Sequence, residues 1–163
     1  MKIIDGKLIR PSWDEYFARI VEDIALRSTC YRRQVGALVV NSDREIVASG
    51  YNGNARGYPH CDEIGCIKEE MGFKSGEGND WCTAVHAEQN ALLQAGNRSR
   101  GSTLYVNAFP CKICARMIVN SGIASVVISG EYTDKDGLKT LDDAGIDVKH
   151  IIIKDEEDYR PDG

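Results

Sequence analysis

The chain has 163 residues, 42% of them hydrophobic and 28% charged, with a formal net charge of −5. That composition supports a packed core and excludes a disordered chain, and its acidity, with basic residues clustered only at Arg32–Arg33 and Arg98–Arg100, disfavours a polynucleotide partner gripped along its backbone. No apolar run approaches the roughly 20 residues that span a bilayer and Met1–Gly6 has no signal-peptide core, so the expectation is one cytoplasmic domain over 1–163 with no membrane partner.

In chain order, residues 1–11 read as a loose leader. Ser12-Trp13-Asp14-Glu15 is a capping box, and Trp13, Phe17, Ile20, Val21 and Ile24 follow at helical spacing, predicting a helix from Ser12 to Arg27. Val35–Val40 and Ile46–Gly50 are short and rich in β-branched residues, with Asn41-Ser42-Asp43 between them. They predict an antiparallel hairpin. Residues 51–82 hold glycines, aromatics and Cys61, Cys66 and Cys82 with little periodicity. A loop that long is functional or is held by something, and it reads as an insertion over about 54–83.

Ala84–Ala95 predicts a helix ending at Gly96, and Leu104–Val106 a buried strand. Pro110 opens a helix through Ser121, with Gly122 as its C-cap. Ser125–Ser129 is a strand, Lys135–Ala144 a helix and Val148–Ile153 a last strand, before a charged tail over 154–163. Alternating strands and helices predict parallel strands with crossovers, and the opening hairpin makes the sheet mixed. The fold class is α/β, with its core over about 12–153.

Two segments carry chemistry: His86-Ala87-Glu88 and Pro110-Cys111-Lys112-Ile113-Cys114. A Cys-x-x-Cys pair at a helix start puts both sulfurs on one face, where the positive helix end favours thiolates. With His86 as third ligand, zinc would keep one tetrahedral position for a water of lowered pKa. Glu88 lies about 200° from His86 on an ideal helix. Both reach one site only if His86 sits at or just before the first turn, where Glu88 can serve as general acid/base. Alone, Cys-x-x-Cys equally suits a structural zinc half-site or a redox pair, and His-x-Glu a helix surface. Together they match the signature of zinc-dependent nucleobase deaminases. Cys30, Cys61, Cys66 and Cys82 remain and suggest a second, closed zinc site, with His60 as an alternate ligand. Free, partly buried thiols are the other reading.

Val35-Gly36-Ala37, Gly50-Tyr51-Asn52-Gly53, His86 to Ala91 and Pro110 to Ala115 carry a family resemblance. From about residue 12 to 153 the chain resembles the deoxycytidylate (dCMP) deaminases of the cytidine deaminase superfamily, including competence-operon-type relatives. The resemblance implies a three-layer α/β/α sandwich around a mixed five-stranded sheet. It implies hydrolysis of dCMP to dUMP and ammonia, with Glu88 protonating N3 and then the leaving amine. It further implies that the Ala87 N–H binds the base carbonyl, although Asn52, its companion in positioning substrate, is equally a turn residue before Gly53. Arg27 and Ser28 resemble a phosphate contact and Tyr132 a residue near the base, each equally readable as surface. A second zinc in some relatives, a homohexamer, activation by dCTP with Mg2+ and inhibition by dTTP belong to the same resemblance. The alternatives are a deaminase of cytosine, cytidine or tRNA adenosine, and a non-catalytic zinc module that binds a nucleotide or a partner. Glu88 speaks against the module, because a closed structural site needs no carboxylate.

Overall fold

The computed structural model describes residues 3–4, 6–30, 32–74, 77–131 and 136–154, and the expected loose leader contains a short two-stranded ladder. Ile3–Ile4 (β1) pairs antiparallel with Lys7–Leu8 (β2), and Gly6 turns between them at a φ of 71°, a conformation that costs glycine little. The first long helix, α1, covers Trp13–Ala25, ending before the expected Arg27. Its capping box is formed: Glu15 N–H donates to Ser12 Oγ at 3.2 Å and Ser12 N–H to Glu15 Oε2 at 2.9 Å.

Gly36–Val40 (β3) and Ile46–Tyr51 (β4) make the expected hairpin. Asn41 Oδ1 closes it, accepting the Asp43 and Glu45 amides at 3.0 and 2.9 Å. The aperiodic stretch after it is built from small pieces: Gly53–Asn54 (β5), Cys61–Ile64 (α2) and Ile67–Glu70 (α3). Ala84–Val85 (β6) then pairs antiparallel with β5, so the helix expected from Ala84 starts later, as α4 over Ala87–Ala95. Strand pairing there overrides local helix propensity. A 3₁₀ turn over Gly96–Ser99 follows.

Thr103–Val106 (β7), Lys112–Asn120 (α5), Ser125–Ile128 (β8), Asp136–Asp143 (α6) and Asp147–His150 (β9) complete the chain. Pro110 is not the first helical residue as expected. Cys111 is the N-cap, so the proline sits one residue outside the helix. Strand β9 lies earlier than Val148–Ile153, because Asp147 already pairs with Ser125. The start of the expected helix at Lys135 and the tail beyond 154 lie outside the described residues.

The large sheet has the order β4-β3-β7-β8-β9. Its first two pairings are antiparallel and its last two parallel, giving the mixed five-stranded sheet. Alternate residues feed two cores. Leu38, Val40, Tyr105 and Val127 meet Phe17 and Val21 of α1 on one face. Ala37, Val39, Leu104, Val106, Val126 and Ile128 meet Ala91, Ile118 and Leu141 of α4, α5 and α6 on the other. That is the three-layer sandwich. Two glycines set how closely the layers approach: a Cβ at Gly36 would collide with the α1 backbone at Val21, and one at Gly50 with the α4 backbone at Ala87 and Ala91. Among the described residues no helix is long and apolar enough to cross a membrane.

Candidate active site

The β5–β6 pairing delivers His86 to the mouth of α4, where it is the N-cap, with its amide donating to Gln89 Oε1 at 2.8 Å. This is the placement that lets residues i and i+2 share one site. Cys111 caps α5, and its Sγ accepts the Cys114 amide at 3.5 Å. Both helix starts lie on the same face of the sheet and bring their ligands together. His86 Nδ1 stands 3.6 Å from Cys111 Sγ and 3.3 Å from Cys114 Sγ.

Among the described residues this is the one His/Cys/Asp/Glu group of three or more with ligand atoms all within 4.8 Å. Tetrahedral zinc, with bonds of about 2.05 Å to nitrogen and 2.3 Å to sulfur, needs N···S edges of about 3.6 Å. The donor set fits that ion in chemistry and spacing.

The thiols share charge unequally. The Cys114 S–H and then His86 hold the Cys111 thiol down to about 4, while the bond to Cys111 and burial push Cys114 up. His86 is raised, chiefly by its hydrogen bond to Cys111 and further by Glu88, against the lowering effect of burial. Glu88 is 3% exposed. Burial pushes its carboxyl up against the opposing pull of His86, and it hydrogen-bonds to Cys114. A buried carboxyl beside a metal-ligand triad can take and return protons without itself binding the metal.

The chain matches the family model of the cytidine and deoxycytidylate deaminase zinc-binding region over residues 11–130. It belongs to that family. The deoxycytidylate deaminase of Mycobacterium phage D29 is 42% identical over 128 residues, covering 75% of this chain and 98% of the phage protein. The deoxycytidylate deaminase of Saccharomyces cerevisiae is 39% identical over 165 residues, covering 96% of this chain, which spans about half (52%) of the yeast protein. Among solved structures, the dCMP deaminase of cyanophage S-TIM5 in complex with dCMP and dUMP superposes with a TM-score of 0.71 at 31% identity, covering 88% of this chain and 99% of that one.

The other candidates divide. Ala87, Glu88, His86 and Cys111 line one pocket together with Asn52. Asn52 is buried, and its Oδ1 accepts from Ser28 Oγ and Val35 N–H at 2.6 and 2.8 Å, while its Nδ2 donates to the Arg33 carbonyl at 2.9 Å. It is therefore a clamp between two segments as well as a pocket residue, with one amide hydrogen left to offer. The Ser28 hydroxyl is committed to Asn52 and to the Cys30 amide, and Arg27 is exposed; neither lines the pocket. Tyr132 lies outside the described residues.

Cys30, Cys61, Cys66 and Cys82 all line this same pocket. The Cys61 thiol is pushed up by burial and by its three cysteine neighbours. His60 is exposed and caps α2, away from the pocket lining. Arg32, Lys68 and Asn79 also line the pocket. Arg32 carried a sequence signal as part of a basic pair, but nothing in an irregular segment marked Lys68 as inward-facing.

Proposed function

We propose that the chain hydrolyses dCMP to dUMP and ammonia. The observation that carries this reading is the buried Glu88 carboxyl, bonded to Cys114 beside the His86–Cys111–Cys114 triad, with Glu88, His86 and Cys111 lining one pocket. Family membership and the cyanophage neighbour captured with dCMP and dUMP support the substrate.

His86, Cys111 and Cys114 would hold zinc, which supplies Lewis-acid activation of a water. Glu88 takes the first proton from that water and delivers it to cytosine N3 as oxygen bonds to C4. It then takes the second and hands it to the exocyclic nitrogen, so the C4–N bond breaks and ammonia leaves. The Ala87 amide is at the first helical position, where it has no intrahelical acceptor, and it is the donor for the base carbonyl. Asn52 offers its remaining amide hydrogen to the sugar side.

In this reading Cys30, Cys61, Cys66 and Cys82 hold a second zinc ion, supported by their shared pocket; no three of their sulfurs lie within 4.8 Å of one another, so the ion would have to draw them together. Two zinc ions per chain are expected, falling to one in the double variant Cys61→Ser, Cys66→Ser. The chain acts as one deaminase domain with its core over 12–153, working as a cytoplasmic homohexamer with dCTP–Mg2+ as activator and dTTP as inhibitor. Loss of cytosine absorbance on dCMP, deoxycytidine and CMP, each with and without dCTP–Mg2+, tests this. Turnover of dCMP above the other two supports the substrate, and stimulation by dCTP supports the regulation. No turnover of any of them overturns the reading.

A further inference from the structure

Asn52 and the turn His86–Ala87–Glu88 are far apart in sequence, yet both border the pocket. Their two segments are tied together on either side of that pair. On one side, Gly53 and Asn54 of β5 pair with Val85 and Ala84 of β6, which leads straight into His86. On the other, Asn90 of α4 donates from Nδ2 to the Tyr51 carbonyl at 2.8 Å. Tyr51 immediately precedes Asn52 and ends β4, an edge strand of the large sheet. Beside this second tie, Gly50 lets the α4 backbone at Ala87 and Ala91 lie directly on the strand. Asn90 does little for the helix itself. Its main-chain amide already bonds to the His86 carbonyl at 3.0 Å, and asparagine ranks low as a helix former because its side chain competes for backbone groups. Here that side chain serves the strand end.

We propose that Asn90 is a positioning residue for the deamination: its bond to the Tyr51 carbonyl closes a bracket that fixes Asn52 against Glu88 and the Ala87 amide. The inference rests on the deaminase reading for the roles of those three residues, while the bracket stands on the geometry alone. Asn90 is not among the residues that line the pocket, so it acts through its neighbours. The other side-chain bonds of Asn52 run to Ser28, Arg33 and Val35, all on the connection between α1 and β3 and none on α4. Without Asn90, the strand end stays with that connection while the start of α4 is free to shift against it. A displacement of about 1 Å between a substrate and its proton donor costs about a hundredfold in rate. The metal site is spared, because the N-cap His86 moves with α4 and the bond does not touch the triad.

Asn90→Asp tests this, because it keeps the shape of the side chain but at neutral pH has no N–H to donate. In the zinc-loaded protein its kcat on dCMP should fall about ten- to a hundredfold while KM changes less than about threefold, the pattern of an interaction made in the transition state. Zinc content and the number of dUMP sites per chain, by metal analysis and calorimetry, should match the wild type, so the loss is not one of folded protein. Amide hydrogen exchange over 52–54 should quicken while α5 keeps its protection. A variant with wild-type kcat overturns the proposal. So does a rise in KM alone, which would give Asn90 a part in ground-state binding only. A fall in zinc or in dUMP sites that matches the fall in kcat also overturns it, and assigns Asn90 to folding or metal retention. If the wild type deaminates no cytosine compound, the deaminase reading fails by itself. Exchange then decides the bracket: quickening over 52–54 in Asn90→Asp keeps it, and an unchanged rate removes it.

Discussion

His86 and Cys111 of the triad line one pocket with the cysteine-rich insertion, but the two regions are held in unlike ways. His86 and Cys111 cap helices that rest on a five-stranded sheet, with Ala91, Ile118 and their neighbours fully buried beneath them. The insertion has two four-residue helices; Cys61 is the buried residue of the first, and the second has none. Helices that short cannot stand on propensity. The catalytic half is thus positioned by packing, whereas the insertion, which carries Cys61, Cys66 and Cys82, has little packed core of its own and on the proposed reading is held by a bound metal.

The largest effect should come from the packed half. Glu88→Gln keeps the shape but cannot relay protons, so dCMP turnover should fall about a hundred- to ten-thousand-fold, with zinc content unchanged by metal analysis. A variant that keeps its turnover would remove Glu88 from the chemistry. Next comes the insertion. In Cys61→Ser, Cys66→Ser, amide hydrogen exchange should lose protection over 61–72 while α4 and α5 keep theirs. Uniform loss across the chain would mean that the two regions fold as one unit.

Gly50→Ala strikes the contact between β4 and α4. The added Cβ meets backbone at Ala87 and Ala91 rather than a movable side chain, so a cost of about 1–3 kcal/mol is expected, which is about 2–4 °C in melting temperature per kcal/mol. An unchanged melting temperature would mean that the helix can shift at no cost, and the triad with it.

The smallest effect lies on the far face. Tyr105 Oη donates to Asp14 Oδ1 at 3.0 Å, and Lys149 pairs with the same carboxylate. Tyr105→Phe should lose about 1 kcal/mol at neutral pH. Burial and Asp14 raise the Tyr105 pKa above its ordinary value of 10.0. Its contribution is complete below that value and declines as pH rises from there through the folded-state pKa. In alkaline denaturation, the wild type should therefore lose its advantage over Tyr105→Phe above about pH 10. A constant difference across that range would show that the hydroxyl contributes nothing beyond packing.

Local signals were legible where a few adjacent residues decide the outcome. The Ser12–Glu15 capping box, the Asn41 turn and the spacing of His86 with Glu88 are all short-range, and the structure forms each of them. Boundaries failed where distant partners intervened. Ala84 and Val85 have residues suited to a helix, yet they pair with Gly53 and Asn54 about thirty positions away. Arg27 and Ser28, a phosphate contact by family resemblance, do not line the pocket: the first is exposed and the hydroxyl of the second bonds to Asn52.

By itself the sequence determined the α/β class, the alternation that feeds two cores, and the His86, Cys111 and Cys114 donor set that the fold brings together. Those follow from period, caps and ligand chemistry, which are properties of neighbouring residues. Only the tertiary structure decided that four loop cysteines, Lys68 and Arg32 share a pocket with Glu88. An irregular segment has no period from which an inward face can be read, so the direction of its side chains is set by what the rest of the fold places against it.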